Sequence, residues 1–195
     1  MLLKQLSEED QRIFLCVAEL LTLCDKPLLW GDKRREVETE DDKFANVHVD
    51  RDEREAAAME ELCAIHPGKG GGGLISSMLG QGLGRADIER KLTNRLEKLS
   101  LQAENDPTER VKAANEVLRE ILKGKTAAMP SVPKLMLFEL LMLALTNGSI
   151  SGVQWQVLTG FKHHYQLEDF IFNDLLERAQ ATYEQTQKTI AIILE

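Results

Sequence analysis

The chain has 195 residues, 43% of them hydrophobic, 29% charged and only 5% aromatic, with a net charge of −8. That is the balance of a soluble globular protein long enough to bury one substantial core. The acidic surface repels a phosphate backbone and argues against a nucleic-acid partner.

Leu, Met, Ala, Glu and Lys dominate, and Val/Ile alternation is nearly absent. The composition therefore predicts an all-α fold, a bundle of six to seven helices. No basic N-terminal stretch precedes an apolar run with a cleavage site, and Cys16, Cys24 and Cys63 lack CxxC spacing. The expectation is a cytoplasmic protein with buried free thiols and no membrane span.

Ser7-Glu8-Glu9-Asp10 resembles a capping box with Asp in the last place. The helix it opens carries Ile13, Phe14, Val17, Leu20, Leu21 and Leu23, and Asp25-Lys26-Pro27 stops it. Residues 28–47 then form a long charged connector, of a length usually functional or mobile. Asn46–Val49 is predicted extended, and a helix resumes near Asp50 and runs to Ile65. His66-Pro67-Gly68-Lys69 and the four glycines at 70–73 break the chain again. They lack the phosphate-loop pattern, and a flexible connector is the better reading, as it is for Gly80, Gly82 and Gly84.

Arg85–Leu101 is amphipathic, with Ile88, Leu92, Leu96 and Leu99 on one face. Asp106-Pro107 marks the next helix start, and Gly124 its end. Leu135–Leu145 is apolar at every position but Glu139, which places it in the core. Thr146-Asn147-Gly148-Ser149 forms an elbow with Gly148 at positive φ, and a second helix runs from Gly152 to His164. This hairpin is predicted to be central. A last helix starts near Leu167 or Glu168, with Phe170, Ile171, Leu175, Leu176 and Ala179 on its core face, and extends toward Glu195.

The hairpin reads Asn147-Gly148-Ser149-Ile150, then Gln154, Val157-Leu158 and Phe161, then Phe170 and Leu175-Leu176. Over residues 135–179 this resembles the TerB-like family, helical proteins named for tellurite resistance. Their pattern is an apolar helix, Asp-Gly-x-Ile, a Glu four residues after the Ile, and two further helices. The resemblance implies a helical module acting through partner proteins in stress- or envelope-linked processes, with a bound divalent cation. Both acids of the pattern are amides here, Asn147 and Gln154, and lack the charge that holds a hard cation.

The chain reads as a single domain over 1–195, with residues 7–101 and 106–195 as a pseudo-repeat. Within it Ile13–Leu23 parallels Leu135–Leu145, Asp25 stands where Asn147 does, and Glu53 takes the place of Gln154. The first half thus retains acids that the second half lacks. Chance periodicity between two helices gives the same match.

Asp25, Asp50, Asp52 and Glu53 are accordingly the candidate ligands for Ca²⁺ or Mg²⁺. The plainer reading is helix-end chemistry, with Asp50 as N-cap and Asp52 and Glu53 in the first turn. His163-His164, His48 and His66 lack zinc spacing, Trp155 reads as packing, and Trp30 as a partner anchor or a docked loop residue. No nucleophile elbow or dinucleotide fingerprint occurs. The functional expectation is a non-enzymatic interaction or stress-response module, with a divalent cation. The alternatives are a metal-free adaptor using the 28–47 loop or the C-terminal helix, and, behind both, a metal-dependent phosphoesterase.

Overall fold

The computed structural model describes residues 3–30, 47–65, 85–97 and 106–194. Among these the fold is all-α. In chain order it comprises α1 (Glu8–Leu23), β1 (Leu28–Trp30), β2 (Val47–Val49), α2 (Glu53–Ile65), α3 (Arg85–Leu96), α4 (Pro107–Leu122), α5 (Ser131–Ala144), α6 (Gly152–His164) and α7 (Asp169–Leu194). The expectations of mobility over 31–46 and 66–73 lie outside the described residues, as do the 74–84 segment, Leu99, His66 and the Trp30 side chain.

Ser7 caps α1, its hydroxyl oxygen accepting from the Asp10 amide at 3.1 Å and donating to the Asp10 carboxylate at 2.6 Å. From Ile13 to Leu23 the helix is buried without interruption. A helix buried all round must be surrounded, and α2, α3, α4, α5 and α6 all pack on it. The middle of the bundle is therefore α1, with the α5–α6 hairpin packed beside it. Met136, Leu137, Leu140, Leu141, Val157, Leu158 and Phe161 are fully buried there.

The predicted connector begins as a strand. Leu28, Leu29 and Trp30 pair antiparallel with Val49, His48 and Val47. The buried pair Leu28–Val49 anchors this ribbon, and α3 packs against β2. Such a ribbon is too short to stand alone; β2 falls within the expected extended stretch Asn46–Val49, and β1 within the stretch read as a connector.

Asp106 and Pro107 start α4 as expected, the Asp106 carboxylate accepting from the Thr108 amide at 2.8 Å. At the end of α5 the chain makes one 3-10 turn, Leu145–Asn147, and Gly148 follows at φ +88°. The core face of α7 is the expected one at Ile171, Leu175, Leu176 and Ala179 but not at Phe170. Phe170 is 63% exposed, and Phe172 is buried in its place. Counting three and four residues on from Phe172 reaches Leu175, Leu176 and Ala179, whereas Phe170 falls on the far side. α7 packs on α5, but its 26 residues span about 39 Å against about 21 Å for the 14 of α5. Its outer half overhangs the bundle. No described helix is long and apolar enough to cross a membrane.

Candidate functional site

The two predicted elbows meet. One runs from the end of α1 to the start of α2, and the other joins α5 to α6. Arg110 of α4 supports the first from below, its guanidinium donating to the Lys26 carbonyl at 2.5 Å and the Cys24 carbonyl at 3.4 Å. Cys24 is the C-cap of α1, where a helix leaves carbonyls without intrahelical donors, and Lys26 lies two residues beyond it.

α2 starts at Glu53, three residues later than expected. Its N-cap is Asp52, not Asp50: the Asp52 carboxylate accepts from the Arg54 amide at 2.9 Å and the Glu55 amide at 3.1 Å. The hydrogen bond from the Glu55 amide leads in holding the Asp52 pKa below the usual value, and the Asn147 side chain of the other elbow adds to it. α6 starts with a full capping box. Ser151 Oγ accepts from the Gln154 amide at 3.2 Å, and Gln154 Oε1 accepts from the Ser151 amide at 3.0 Å.

Asp52 and Ser151 thus occupy the same cap position, and Glu55, not Glu53, is the counterpart of Gln154. The correspondence drawn from the sequence is off by two residues. These counterparts touch. Gln154 Nε2 donates to Glu55 Oε1 and to the Leu21 carbonyl, both at 3.3 Å. On its other side Glu55 meets the Lys26 ammonium, with Nζ 2.8 Å from Oε2, and the same ammonium stands 3.5 Å from Asp25 Oδ1. Glu55 is 2% exposed. Asp25 Oδ1 and Glu55 Oε2 receive no well-directed hydrogen bond, so Lys26 serves them as charge. Burial raises the Glu55 pKa against the pull of Lys26. Burial also works against the Lys26 charge, but Glu55 and Asp25 together outweigh it and raise the lysine pKa.

The four candidate ligands divide. Asp50, Asp52 and Glu53 line an open hollow of about 430 Å³ together with Lys26, Arg51 and Arg54; Asp25 is not on its wall. Three acids face three cations there, so the hollow lacks the excess negative charge that offsets the dehydration of a hard cation. Among the described residues no group of three or more His, Cys, Asp or Glu side chains is placed to hold a metal ion. At Asp25 an ammonium of the chain's own, shared with Glu55, stands where a cation would bind. Glu55 was missed in the sequence, although Asp52-x-x-Glu55 has the spacing of a capping box.

A second buried carboxylate ties the first elbow to α3. Glu19, 1% exposed, accepts from Arg51 Nη1 and from Arg85 Nε, each at 2.7 Å. Arg51 Nη2 reaches Glu89 Oε2 at 2.5 Å, and Glu89 Oε1 accepts from the Val49 amide at 3.2 Å. Arg85 Nη1 donates to Cys63 Sγ at 2.9 Å. Burial raises the pKa of all three thiols, that of Cys16 to about 11, which leaves each a neutral thiol at neutral pH. Cys16 and Cys24 are buried as expected, and Cys63 is half-buried.

Trp155 packs edge-on against Phe172, with ring centroids 5.3 Å apart, while remaining 38% exposed. His48, His163 and His164 are on the surface. No protein-family model, no curated protein and no solved structure matches the chain.

Proposed function

We propose that this chain is a non-enzymatic helical interaction module of TerB-like kind. It works in the cytoplasm through a protein contact made by the outer half of α7. One observation carries the reading: Ile190, Ile192, Ile193 and Leu194 are 42%, 73%, 74% and 80% exposed at the end of a helix that overhangs its bundle. Large apolar side chains clustered at one exposed place mark an interaction surface more often than chance. The Lys26 ammonium between Asp25 and Glu55 favours a metal-free adaptor over the cation-binding form. The net charge of −8 favours protein over nucleic acid as the partner. The family resemblance would place that contact in a stress- or envelope-linked process. Capture from the native cell with the wild type and with Ile190→Asp/Ile193→Asp tests the reading. A partner retained by the first and lost by the second is the expected result, and equal capture by both rejects α7 as the surface.

A further inference from the structure

A groove of about 430 Å³ opens where the link between α4 and α5 passes the end of α6 and the start of α7. That volume is in the range of sites that take a small ligand. Met129, Pro130, Pro133, Leu167 and Ile171 give it an apolar lining, and Met129 is 57% exposed. Its walls are tied together: His164 Nε2 donates to the Lys125 carbonyl at 2.9 Å, and Tyr165 leans on buried Phe161 with ring centroids 4.8 Å apart. Charge sets the groove apart from the rest of the chain. Between Glu120 and Glu168 the sequence holds four lysines and one acid, the buried Glu139, in a chain of net charge −8. Two of those lysines and His164 line the groove, against the single acid Glu168. Lys125 is met by Glu9 at 2.8 Å, whereas half-buried Lys134 makes no ion pair among the described residues.

The turn after α6 adds an independent sign. The Leu167 amide donates to the Lys162 carbonyl at 3.0 Å and the Gln166 amide to the His163 carbonyl at 3.2 Å, a helix ending that calls for a left-handed residue, usually glycine. Here that residue is Gln166 at φ +53°, the one non-glycine with positive φ among the described residues. Glycine would relieve the strain, yet this wall of the groove carries a glutamine.

We propose that the groove docks a short acidic segment of a partner protein. A large apolar side chain lies against Met129, Pro130 and Pro133, a carboxylate meets Lys134, and the Gln166 amide pairs with the backbone of the segment. Charge complementarity selects this occupant. Attraction reaches only about 8 Å at physiological salt, so a segment as small as the groove feels its lysines. A nucleic acid or an anionic membrane would extend over the acidic remainder of the chain and be repelled. The groove lies at the opposite end of α7 from Ile190 and Ile193, and this proposal does not depend on that surface.

Panning a random peptide library on the full chain tests it. Enriched peptides should combine Asp or Glu with Leu, Ile, Met or Phe. A labelled peptide from that set, followed by fluorescence anisotropy, should lose at least tenfold in affinity with Lys134→Glu and with Met129→Asp. Lys188→Glu, the same charge change on the exposed outer half of α7, should bind as the wild type does. Gln166→Gly should bind several-fold more weakly while melting at or above the wild-type temperature, a combination that damage to the fold would not produce. No enrichment, enriched peptides without acids, or equal binding by Lys134→Glu and Lys188→Glu overturns the proposal. Binding to phosphatidylserine vesicles in place of peptides also overturns it, in favour of a membrane. Ile190→Asp/Ile193→Asp should still bind the peptide, so this proposal and the α7 contact fail separately.

Discussion

The two elbows turn the chain with different chemistry. The second is neutral and tight: one 3-10 turn, a left-handed glycine and a capping box. The first is charged: two carboxylates close on one lysine, and an aspartate caps the next helix. Gln154 joins them, using its oxygen for its own helix and its nitrogen for Glu55. A neutral amide can accept at the cap and donate to a carboxylate at once; a glutamate there could only accept, and would face Glu55 as a like charge. The amide that looked like a lost ligand is thus what the neighbouring carboxylate requires. The lesson is that Asp25, Asp52 and Glu55 are matched from within the chain.

The largest expected effect removes the apolar floor under the neutral elbow. Leu141→Ala should destabilise by roughly 2–5 kcal/mol, since Leu141 is fully buried; urea unfolding measures it, and a loss under about 0.5 kcal/mol would contradict its place in the core. Next, Lys26→Met leaves Glu55 and Asp25 without their cation and should cost about 3 kcal/mol, the scale for breaking a buried pair from one side. If the same melts show no change, the lysine is not the resident charge. Gln154→Glu should cost about 2 kcal/mol through the lost donor to the Leu21 carbonyl and the like charge against Glu55, and an unaltered or raised melting temperature would refute that account.

Gly148→Ala should cost about 1 kcal/mol, because the left-handed backbone strains any side chain there; the Tyr183 hydroxyl, 3.4 Å from the added methyl, is in ordinary contact. The smallest effect is Glu55→Gln, under about 1 kcal/mol, since an amide still pairs with Gln154 while a buried charge disappears. Its sign depends on pH. Burial holds the Glu55 pKa above 4.5, so the folded state binds this proton more tightly than the unfolded one. The contribution of Glu55 to stability then declines as the pH rises from 4.5 through the raised value. Glu55→Gln should compare best with the wild type at neutral pH and worst in acid. A difference independent of pH would show that Glu55 titrates normally.

Most helices were legible because local chemistry decides them: Ser7, Asp106 and Ser151 cap, Gly148 turns, and apolar spacing marks the buried faces. What escaped was decided at a distance. Lys26 finds Glu55 across 29 residues and Gln154 finds it across 99, and no window of sequence contains either pair. β1 escaped because three residues carry no period. Phe170 was misplaced because it is as apolar as Phe172, although the spacing to Leu175, Leu176 and Ala179 singles out Phe172. Under the repeat drawn from sequence, the cap residues Asp52 and Ser151 shift the register by two.

One close approach has consequences for which sequences this fold can accept. Gly160 lies where α6 crosses α4, and a methyl group there would sit 2.8 Å from Leu118 Cδ2 and 3.0 Å from Asn115 Oδ1. Gly152, at the start of the same helix, has nothing within 4 Å of that position. In a library randomised at both sites and selected for folding, position 152 should return many residue types and position 160 mainly glycine. A relative that carries a larger residue at 160 should carry a smaller one at 118, a paired change by which distant members of this lineage could be recognised.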